Sequence, residues 1–283
     1  MATFTNQATL SYSGGTTTSN ITTGELVEIL SATKTTPDGS YTTGEPVTFV
    51  LSMENTGTTP VTGVSVSDNL GAYTFGAGTV YPLEYVPGSL LLLINGTLQP
   101  TPTVTSGPPL VISGFSIPAG GNASIIYDAL PTSYAPLGTG QSITNTATIT
   151  GTGIANSILA STTVPAATTA ALAITKAMNP TTVSENGTLT YTFTITNTGP
   201  SAITATDNTV FTDTFQPVLN PITVTYNGVT WPDTNYTYNT TTGNFTSTAG
   251  SITVPGATYT QDPSTGQWTV TPGTATLVIS GTV

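Results

Sequence analysis

Apolar and polar residues alternate along much of this chain with a period of two. In the clearest run, residues 188–197, Leu, Tyr, Phe and Ile occupy every second position between threonines. Because successive side chains of an extended strand point to opposite faces of a sheet, this alternation predicts a strand with one buried face. Asn-Gly pairs at Asn95 and Asn227 lie between apolar runs and predict tight hairpin turns. The pattern therefore favours an all-β fold of short strands joined by turns.

The same succession of strands and turns occurs twice. A strand ending in Lys34 and a segment containing Asp68 correspond to a strand with Lys176 and a segment with Asp213, about 140 residues later. Units repeated in this way are typical of tandem domains, and short alternating strands between turn residues are typical of Ig-like β-sandwiches. We therefore predict two tandem Ig-like β-sandwich domains.

The two predicted domains differ at their ends. Domain one, residues 30–168, closes with residues 142–164, and the other copy of this element is found at residues 3–27. Domain two, residues 169–283, ends on a strand that corresponds to an earlier strand of domain one. We therefore expect domain two to be incomplete by itself and residues 1–29 to form a separate N-terminal segment.

The N-terminal segment has the pattern of a strand that inserts into another domain. Phe4, Asn6, Ala8 and Leu10 alternate with polar residues, and they match the strand around Asn145 in domain one. An incomplete sandwich exposes unpaired backbone groups and apolar side chains, which a strand from another molecule can cover. We therefore expect a neighbouring subunit to donate this segment to domain two. The alternative is a hairpin that packs on domain one as an extra layer.

The composition restricts the function further. The chain has 283 residues, 13 acidic side chains against two basic ones, no histidine and no cysteine, and a formal net charge of −11. Such an acidic chain does not neutralise a phosphate backbone or an anionic membrane surface, so we expect no nucleic acid binding. No stretch is apolar enough to span a bilayer, so we expect no membrane insertion. Without the commonest metal ligands and nucleophiles, we predict no metal, no cofactor and no enzyme activity on an external substrate.

The two basic residues, Lys34 and Lys176, occupy equivalent positions in apolar strands. Leu172 and Ile174 share a face with Lys176 in a strand, so we expect this lysine to point into the protein. Burial disfavours the charged form of a lysine and lowers its pKa by as much as about 3–5 units. The neutral amine that results is a nucleophile.

Four elements follow one another in a fixed order: the strand with Lys, the Asn-Thr-Gly turn, the segment with Asp and the Thr-Asn-x-Ala-Thr strand. The set resembles the bacterial surface repeat of Ig-like domains known as domain of unknown function eleven. Such domains are similar to pilin and adhesin domains that form isopeptide bonds between lysine and asparagine, with a carboxylic acid that shuttles protons. For domain one, the resemblance implies a bond between Lys34 and Asn145, with Asp68 as the acid.

In domain two the resemblance implies that Lys176 is the amine and Asp213 the acid. The matching asparagine is Asn6 of the donated strand, so this amide would join two subunits covalently. The acid is left open between these aspartates and Glu45 or Glu185, and an ordinary buried ion pair needs similar residues.

These features favour a structural protein over an enzyme. We predict a subunit of an extracellular bacterial fibre, a pilus-like or spore appendage, whose partner is a further copy of the same chain joined head to tail. The expected location is the bacterial cell or spore surface. The alternative is a non-polymerising adhesin or stalk module of a cell-surface protein, in which residues 1–28 end a preceding repeat.

Overall fold

The computed structural model describes residues 2–26 and 28–283, which form strands, turns and short 3-10 helices. The predicted all-β fold is confirmed, because no α-helix occurs within this part of the chain. No helix among these residues is long and apolar enough to cross a membrane. Residues 1 and 27, which belong to the predicted N-terminal segment, lie outside the described residues.

The chain divides into two compact units. The first contains the residues up to Thr132 together with Ile143–Val164, and the second contains Ser133–Ser142 and Pro165–Val283. The first unit groups the predicted N-terminal segment with most of domain one. The second unit groups domain two with Ser133–Ser142 and residues 165–168, which the sequence assigned to domain one.

The N-terminal segment forms an antiparallel ribbon of two arms. Its strands are β1 (Ala2–Asn6), β2 (Thr9–Tyr12), β3 (Gly15–Thr18) and β4 (Thr22–Leu26). β1 pairs with β4 and β2 pairs with β3, so the segment folds back on itself at residues 13–14. The side chains of residues 3–23 are exposed. The ribbon therefore has no core of its own, and a hairpin of this kind is at best marginally stable alone in water.

Domain one is a sandwich of two antiparallel sheets. The first sheet has the order β12-β11-β15-β6-β5, with β10 also paired to β15, and the second has the order β13-β14-β7-β16-β17. β8 and β9 pair with each other. The strands are β5 (Leu30–Thr35), β6 (Val47–Asn55), β7 (Val61–Asp68), β8 (Tyr73–Phe75), β9 (Gly78–Val80), β10 (Leu83–Tyr85), β11 (Leu91–Ile94), β12 (Thr97–Leu98), β13 (Thr103–Thr105), β14 (Leu110–Ile117), β15 (Asn122–Pro131), β16 (Ser142–Thr152) and β17 (Ile158–Pro165).

The alternation in the sequence explains how the two sheets of domain one pack. In β6, Val47, Phe49 and Leu51 are buried, while the residues between them are more exposed. Leu110 and Ile112 of β14, on the other sheet, are also buried. Each sheet therefore contributes one apolar face to a shared core, as expected for a sandwich.

Domain two contains a five-stranded sheet in the order β18-β19-β27-β21-β22, a three-stranded sheet in the order β20-β24-β23, and the pair β25-β26. Its strands are β18 (Leu172–Asn179), β19 (Thr188–Asn197), β20 (Thr212–Thr214), β21 (Ile222–Tyr226), β22 (Val229–Thr230), β23 (Tyr236–Tyr238), β24 (Asn244–Ser247), β25 (Thr258–Gln261), β26 (Trp268–Thr271) and β27 (Gly273–Thr282). Two 3-10 helices span Ala205–Asp207 and Asp233–Asn235. The apolar side chains of β19 join a single buried cluster with those of β21, β24 and β27.

The predicted hairpin turns are present in both domains. Asn95 and Asn227 have φ angles of 49° and 50°, and the glycines that follow them, Gly96 and Gly228, have φ angles of 75° and 78°. A two-residue turn with positive φ at both positions matches the twist of the flanking strands. These turns join β11 to β12 and β21 to β22.

Candidate isopeptide sites and an open strand groove

The site in domain one lies where the two sheets face each other. Lys34 is on β5 of one sheet, and Asp68 is the last residue of β7 on the other sheet. Both side chains are buried, and Lys34 Nζ donates a hydrogen bond to Asp68 Oδ2. The alternation of β5 and β7 therefore directs an amine and a carboxylate into the core at the same point.

Tyr127 connects this pair to the predicted asparagine. The Tyr127 hydroxyl donates to Asp68 Oδ2 at 2.6 Å, and Asn145 Nδ2 donates to the same hydroxyl oxygen at 3.1 Å. Asp68 Oδ1 accepts from the backbone N–H of Leu70 at 3.0 Å. The structure thus brings Lys34, Asp68 and Asn145 into one buried network.

Tyr127 is the residue that sequence reasoning missed. It stands directly opposite Phe49 in the β15–β6 register, and the two rings stack with centroids 5.6 Å apart. The signal was available in the alternation of β15, where Ala123, Ile125 and Tyr127 fall on the buried face. A buried tyrosine normally requires a hydrogen-bond partner for its hydroxyl, so its position opposite Phe49 pointed towards the polar site.

The surroundings of Lys34 make its neutral form easier to reach. Burial lowers the pKa of Lys34 to about 8, and the neighbouring Asp68 only partly opposes this shift. The amine lies over the rings of Phe49 and Tyr127, at 5.0 Å and 5.7 Å from their centroids. Burial and the charge of Asp68 also raise the pKa of the Tyr127 hydroxyl, which therefore stays protonated.

The amide of Asn145 is held in an unusual state. The residue is fully buried, and within the described part of the chain its Oδ1 accepts no hydrogen bond. A buried polar atom without a partner costs about 1–3 kcal/mol. The carbonyl group of Asn145 is therefore poorly stabilised in the folded domain before any reaction takes place.

Domain two has the same pair in a more open setting. Lys176 on β18 donates to Asp213 Oδ2 on β20 at 2.6 Å, and it lies 4.6 Å from the ring centroid of Tyr191 and 5.3 Å from that of Phe193. The side chain of Lys176 is 44% exposed, whereas that of Lys34 is fully buried. Lys176 therefore lies against two aromatic rings, but it is not buried as we expected from the sequence.

The structure distinguishes the candidate acids by their distance from the lysines. Glu45 precedes β6 and Glu185 precedes β19, and both side chains are exposed. The carboxylates in contact with the two lysines belong to Asp68 and Asp213. The geometry therefore favours the aspartates for any chemistry at the lysines.

The difference in burial comes from the strands beside the aspartates. In domain one, β7 has a neighbour on each side, because Asp68 is opposite Leu110 of β14 and Ala147 of β16. In domain two, β20 pairs with β24 through Asp213 and Phe245. No strand of the described residues pairs with the other edge of β20. The edge equivalent to the β7–β16 contact is therefore open.

An apolar groove of about 180 Å³ lies beside this open edge. Leu172 on the groove is 45% exposed, while its repeat equivalent in domain one, Leu30, is 4% exposed. The groove is lined by Leu172, Ala173, Ile174, Ile195, Thr209, Val210, Phe211 and Ile252. Exposed apolar side chains next to an unpaired strand edge are the features of a strand-binding site.

The predicted donor residues are exposed in the N-terminal ribbon. Phe4 is 58% exposed and Leu10 is 65% exposed, and the side chains of Asn6 and Ala8 are also exposed. Asn6 lies on β1 opposite Thr22 of β4. The four residues at the equivalent positions of β16 are all buried: Ile143, Asn145, Ala147 and Ile149.

No protein-family model matches the chain, and no curated protein matches it. Among solved structures, the chain is similar to the major pilin subunit of Bacillus cereus, with a TM-score of 0.38 and 13% identity over 72% of this chain and 69% of that one. It is also similar to the full-length major pilin SpaD of Corynebacterium diphtheriae, with a TM-score of 0.38 and 13% identity over 86% and 59%.

A family 123 glycoside hydrolase of Clostridium perfringens matches 49% of this chain with a TM-score of 0.30 and 16% identity. This chain covers only 28% of that enzyme. At such TM-scores the likeness to any of these proteins carries no argument about function. Membership of the domain of unknown function eleven family stays a prediction.

Proposed function

We propose that this chain is a structural subunit of an extracellular bacterial fibre. Each copy donates its N-terminal ribbon, residues 2–26, to the groove in domain two of the next copy. One observation carries this proposal. The same side-chain pattern is buried beside Asp68 in domain one and exposed in the ribbon. In domain two, the edge of β20 that contains Asp213 has no strand paired to it among the described residues.

The repeat specifies a register for the donated strand. In domain one, Ala147 of β16 stands opposite Asp68. The same register pairs Ala8 of the donor with Asp213 of the acceptor. Asn6 then points into the acceptor two residues along the strand, as Asn145 does in domain one. This register brings the carboxamide of Asn6 to the pair formed by Lys176 and Asp213.

The chemistry proposed for both sites is the formation of an amide bond. The lysine Nζ attacks the side-chain carbonyl carbon of the asparagine, the new C–N bond forms, and the original amide nitrogen leaves as ammonia. In domain one this reaction joins Lys34 to Asn145 within the chain. Between copies it joins Lys176 to Asn6. Exclusion of water from the pocket favours the neutral amine over its charged form.

The covalent step gives the fibre a permanence that strand insertion alone does not provide. Full burial of an apolar side chain contributes about 1.5–3 kcal/mol, so each half-exposed residue of the groove, such as Leu172 or Ile174, gains about 1 kcal/mol on insertion. Association of two molecules costs about 4–15 kcal/mol in lost freedom of motion. A few such contacts and a short strand pairing therefore hold the copies reversibly, and the amide makes the junction permanent.

The donor and the acceptor are different surfaces of the same chain. A contact between two different surfaces is heterologous, and it propagates a filament unless a rotation closes it into a ring. The chain therefore acts as its own partner. Only 5% of the residues in the chain are charged. This composition suits a subunit of an extracellular fibre better than it suits a protein that binds charged partners.

Mixing two complementary variants tests the proposal. Asn6→Ala removes the donor amide and keeps Lys176, whereas Lys176→Ala removes the acceptor amine and keeps Asn6. We expect each variant alone to run as a monomer on a denaturing gel. An equimolar mixture should give a single crosslinked dimer and no larger species, because the product has no further reactive pair.

Gln7→Ala serves as the matched control, since Gln7 is the neighbour of Asn6 on the opposite face of the strand. This variant should form the same ladder as the unmodified chain. A detergent-resistant ladder from Asn6→Ala alone, or no dimer in the mixture, would refute donation with crosslinking. The latter result would favour the non-polymerising adhesin or stalk module.

A further inference from the structure

One hydroxyl group links the acid and the amide of domain one. Tyr127 Oη is within hydrogen-bond distance of Asp68 Oδ2 and of Asn145 Nδ2, at 2.6 Å and 3.1 Å. Among the described residues, Asp68 makes no direct hydrogen bond to Asn145. Its two oxygens accept hydrogen bonds from Lys34, Tyr127 and the backbone N–H of Leu70. The path from the acid to the leaving nitrogen therefore runs through Tyr127.

We propose that Tyr127 is a catalytic residue for amide bond formation in domain one and passes a proton from Asp68 to the leaving nitrogen of Asn145. This inference rests on the isopeptide chemistry proposed above. It adds a third role to that chemistry. Because Asp68 does not contact the amide of Asn145, a proton needs another group, Tyr127, to pass between them.

The proton transfers balance as follows. Lys34 gives one proton to Asp68 across their direct contact and attacks Cγ of Asn145, which leaves Nζ positively charged and the carbonyl oxygen negatively charged. Asp68 then gives its proton to Tyr127 while Tyr127 gives its own hydroxyl proton to Nδ2. The C–Nδ2 bond breaks, ammonia leaves, and the carbonyl re-forms. Nζ loses its second proton to Asp68, which ends the reaction as a neutral carboxylic acid.

The environment of Tyr127 suits a relay. Burial and the nearby carboxylate raise the pKa of the Tyr127 hydroxyl, so the hydroxyl stays protonated. It therefore acts by accepting a proton from Asp68 as it gives its own proton to Asn145. Its ring is fixed by stacking on Phe49, and its hydroxyl oxygen can both donate and accept a hydrogen bond. A phenylalanine at this position would keep the packing and lose the path.

Domain two provides an internal comparison. Tyr127 is opposite Phe49 in domain one. In domain two the equivalent of Phe49 is Tyr191, and the residue opposite Tyr191 is Ile279. An apolar side chain therefore stands where the relay hydroxyl is found in domain one. The bond between copies forms without this relay, so we expect it to be slower than the bond within domain one.

The test follows bond formation in the full chain. The chain is isolated from inclusion bodies in denaturant, before it has folded and reacted. It is then refolded by dilution, quenched at intervals and weighed as intact protein, with loss of ammonia as the signal. Digestion separates the bond at Lys34 from the bond at Lys176. Tyr127→Phe should slow the bond at Lys34 by about a hundredfold, since general acid catalysis contributes about 10²–10⁴-fold. The bond at Lys176 should keep its rate.

Tyr85→Phe is the matched control. Tyr85 is buried with its ring 6.4 Å from that of Tyr127, and no hydrogen bond joins its hydroxyl to the site. This variant should react at the rate of the unmodified chain. Circular dichroism and thermal unfolding establish that both variants fold.

A solvent isotope measurement separates a relay from a structural role. Replacing water with deuterium oxide should slow the unmodified chain more than Tyr127→Phe, because fewer protons move together in the variant. A Tyr127→Phe chain that folds and reacts at the unmodified rate would overturn the relay while leaving the crosslink intact. An unmodified chain that never loses ammonia at Lys34 would overturn both the relay and the isopeptide chemistry in domain one.

Discussion

The side chain of Leu10 offers a quantitative test of strand donation. Leu10 is 65% exposed in the ribbon, so replacing it with alanine removes little from the fold of a single chain. The equivalent residue of β16, Ile149, is fully buried. If the ribbon inserts in the register of β16, Leu10 passes from solvent to core when two copies associate. Its truncation should then weaken assembly and leave the stability of the monomer unchanged.

The expected magnitude follows from this change in exposure. Full burial of a leucine side chain contributes about 1.5–3 kcal/mol, and about two thirds of Leu10 remains to be buried, which gives about 1–2 kcal/mol. At about 1.4 kcal/mol per tenfold change, Leu10→Ala should raise the dissociation constant about 5–30-fold.

Analytical ultracentrifugation in an Asn6→Ala background measures this effect, because the reversible contact is then free of the crosslink. Leu159→Ala is the control, since Leu159 is 67% exposed on β17 and lies outside the donor segment. It should leave the dissociation constant unchanged. Equal effects of the two substitutions, or no effect of Leu10→Ala, would refute insertion of this face of the ribbon.

Three further predictions follow from the two sites. In an Asn145→Ala background, where the amide within domain one does not form, Asp68→Asn should destabilise domain one by about 3–5 kcal/mol in urea unfolding, because it leaves a buried lysine unpaired. In the same background Asp213→Asn at the exposed pair should cost less than about 1 kcal/mol, and equal losses would contradict the difference in burial. Because burial lowers the pKa of Lys34 to about 8 and Asp68 must receive that proton, bond formation on refolding should be level below about pH 8 and fall about tenfold per pH unit above it. A rate that instead rises up to about pH 8 and then levels would mean attack by the neutral amine without an acid. Deleting residues 2–26 should abolish multimers while circular dichroism and thermal unfolding of both domains stay the same, and multimers that survive the deletion would exclude the ribbon as donor.

The sequence was sufficient for the fold class, because alternation of apolar and polar residues reports directly on which face of a strand is buried. The run at residues 188–197 became β19 with its apolar side chains inside. The Asn-Gly pairs predicted hairpins because few other residues adopt positive φ at two successive positions. These are local properties, which a sequence carries without knowledge of the rest of the chain.

The site was only partly accessible from the sequence. Repeat comparison identified the lysines and aspartates that the structure places in contact. It did not identify Tyr127, since its role depends on the register between β15 and β6 and on the distance between two sheets. The exposure of Lys176 also differed from expectation, because burial depends on whether another strand covers the edge of β20, and strand pairing between distant segments is not a local property.

Peptide mapping of multimers formed by the unmodified chain tests the central claim most directly. The multimers are isolated under denaturing conditions, digested, and searched by mass spectrometry for linked peptides. Strand donation with crosslinking predicts one pair of peptides that contains Asn6 and Lys176 and is lighter by one ammonia than the sum of its parts. Multimers that dissociate fully in denaturant, with Asn6 and Lys176 both recovered in unmodified peptides, would contradict it.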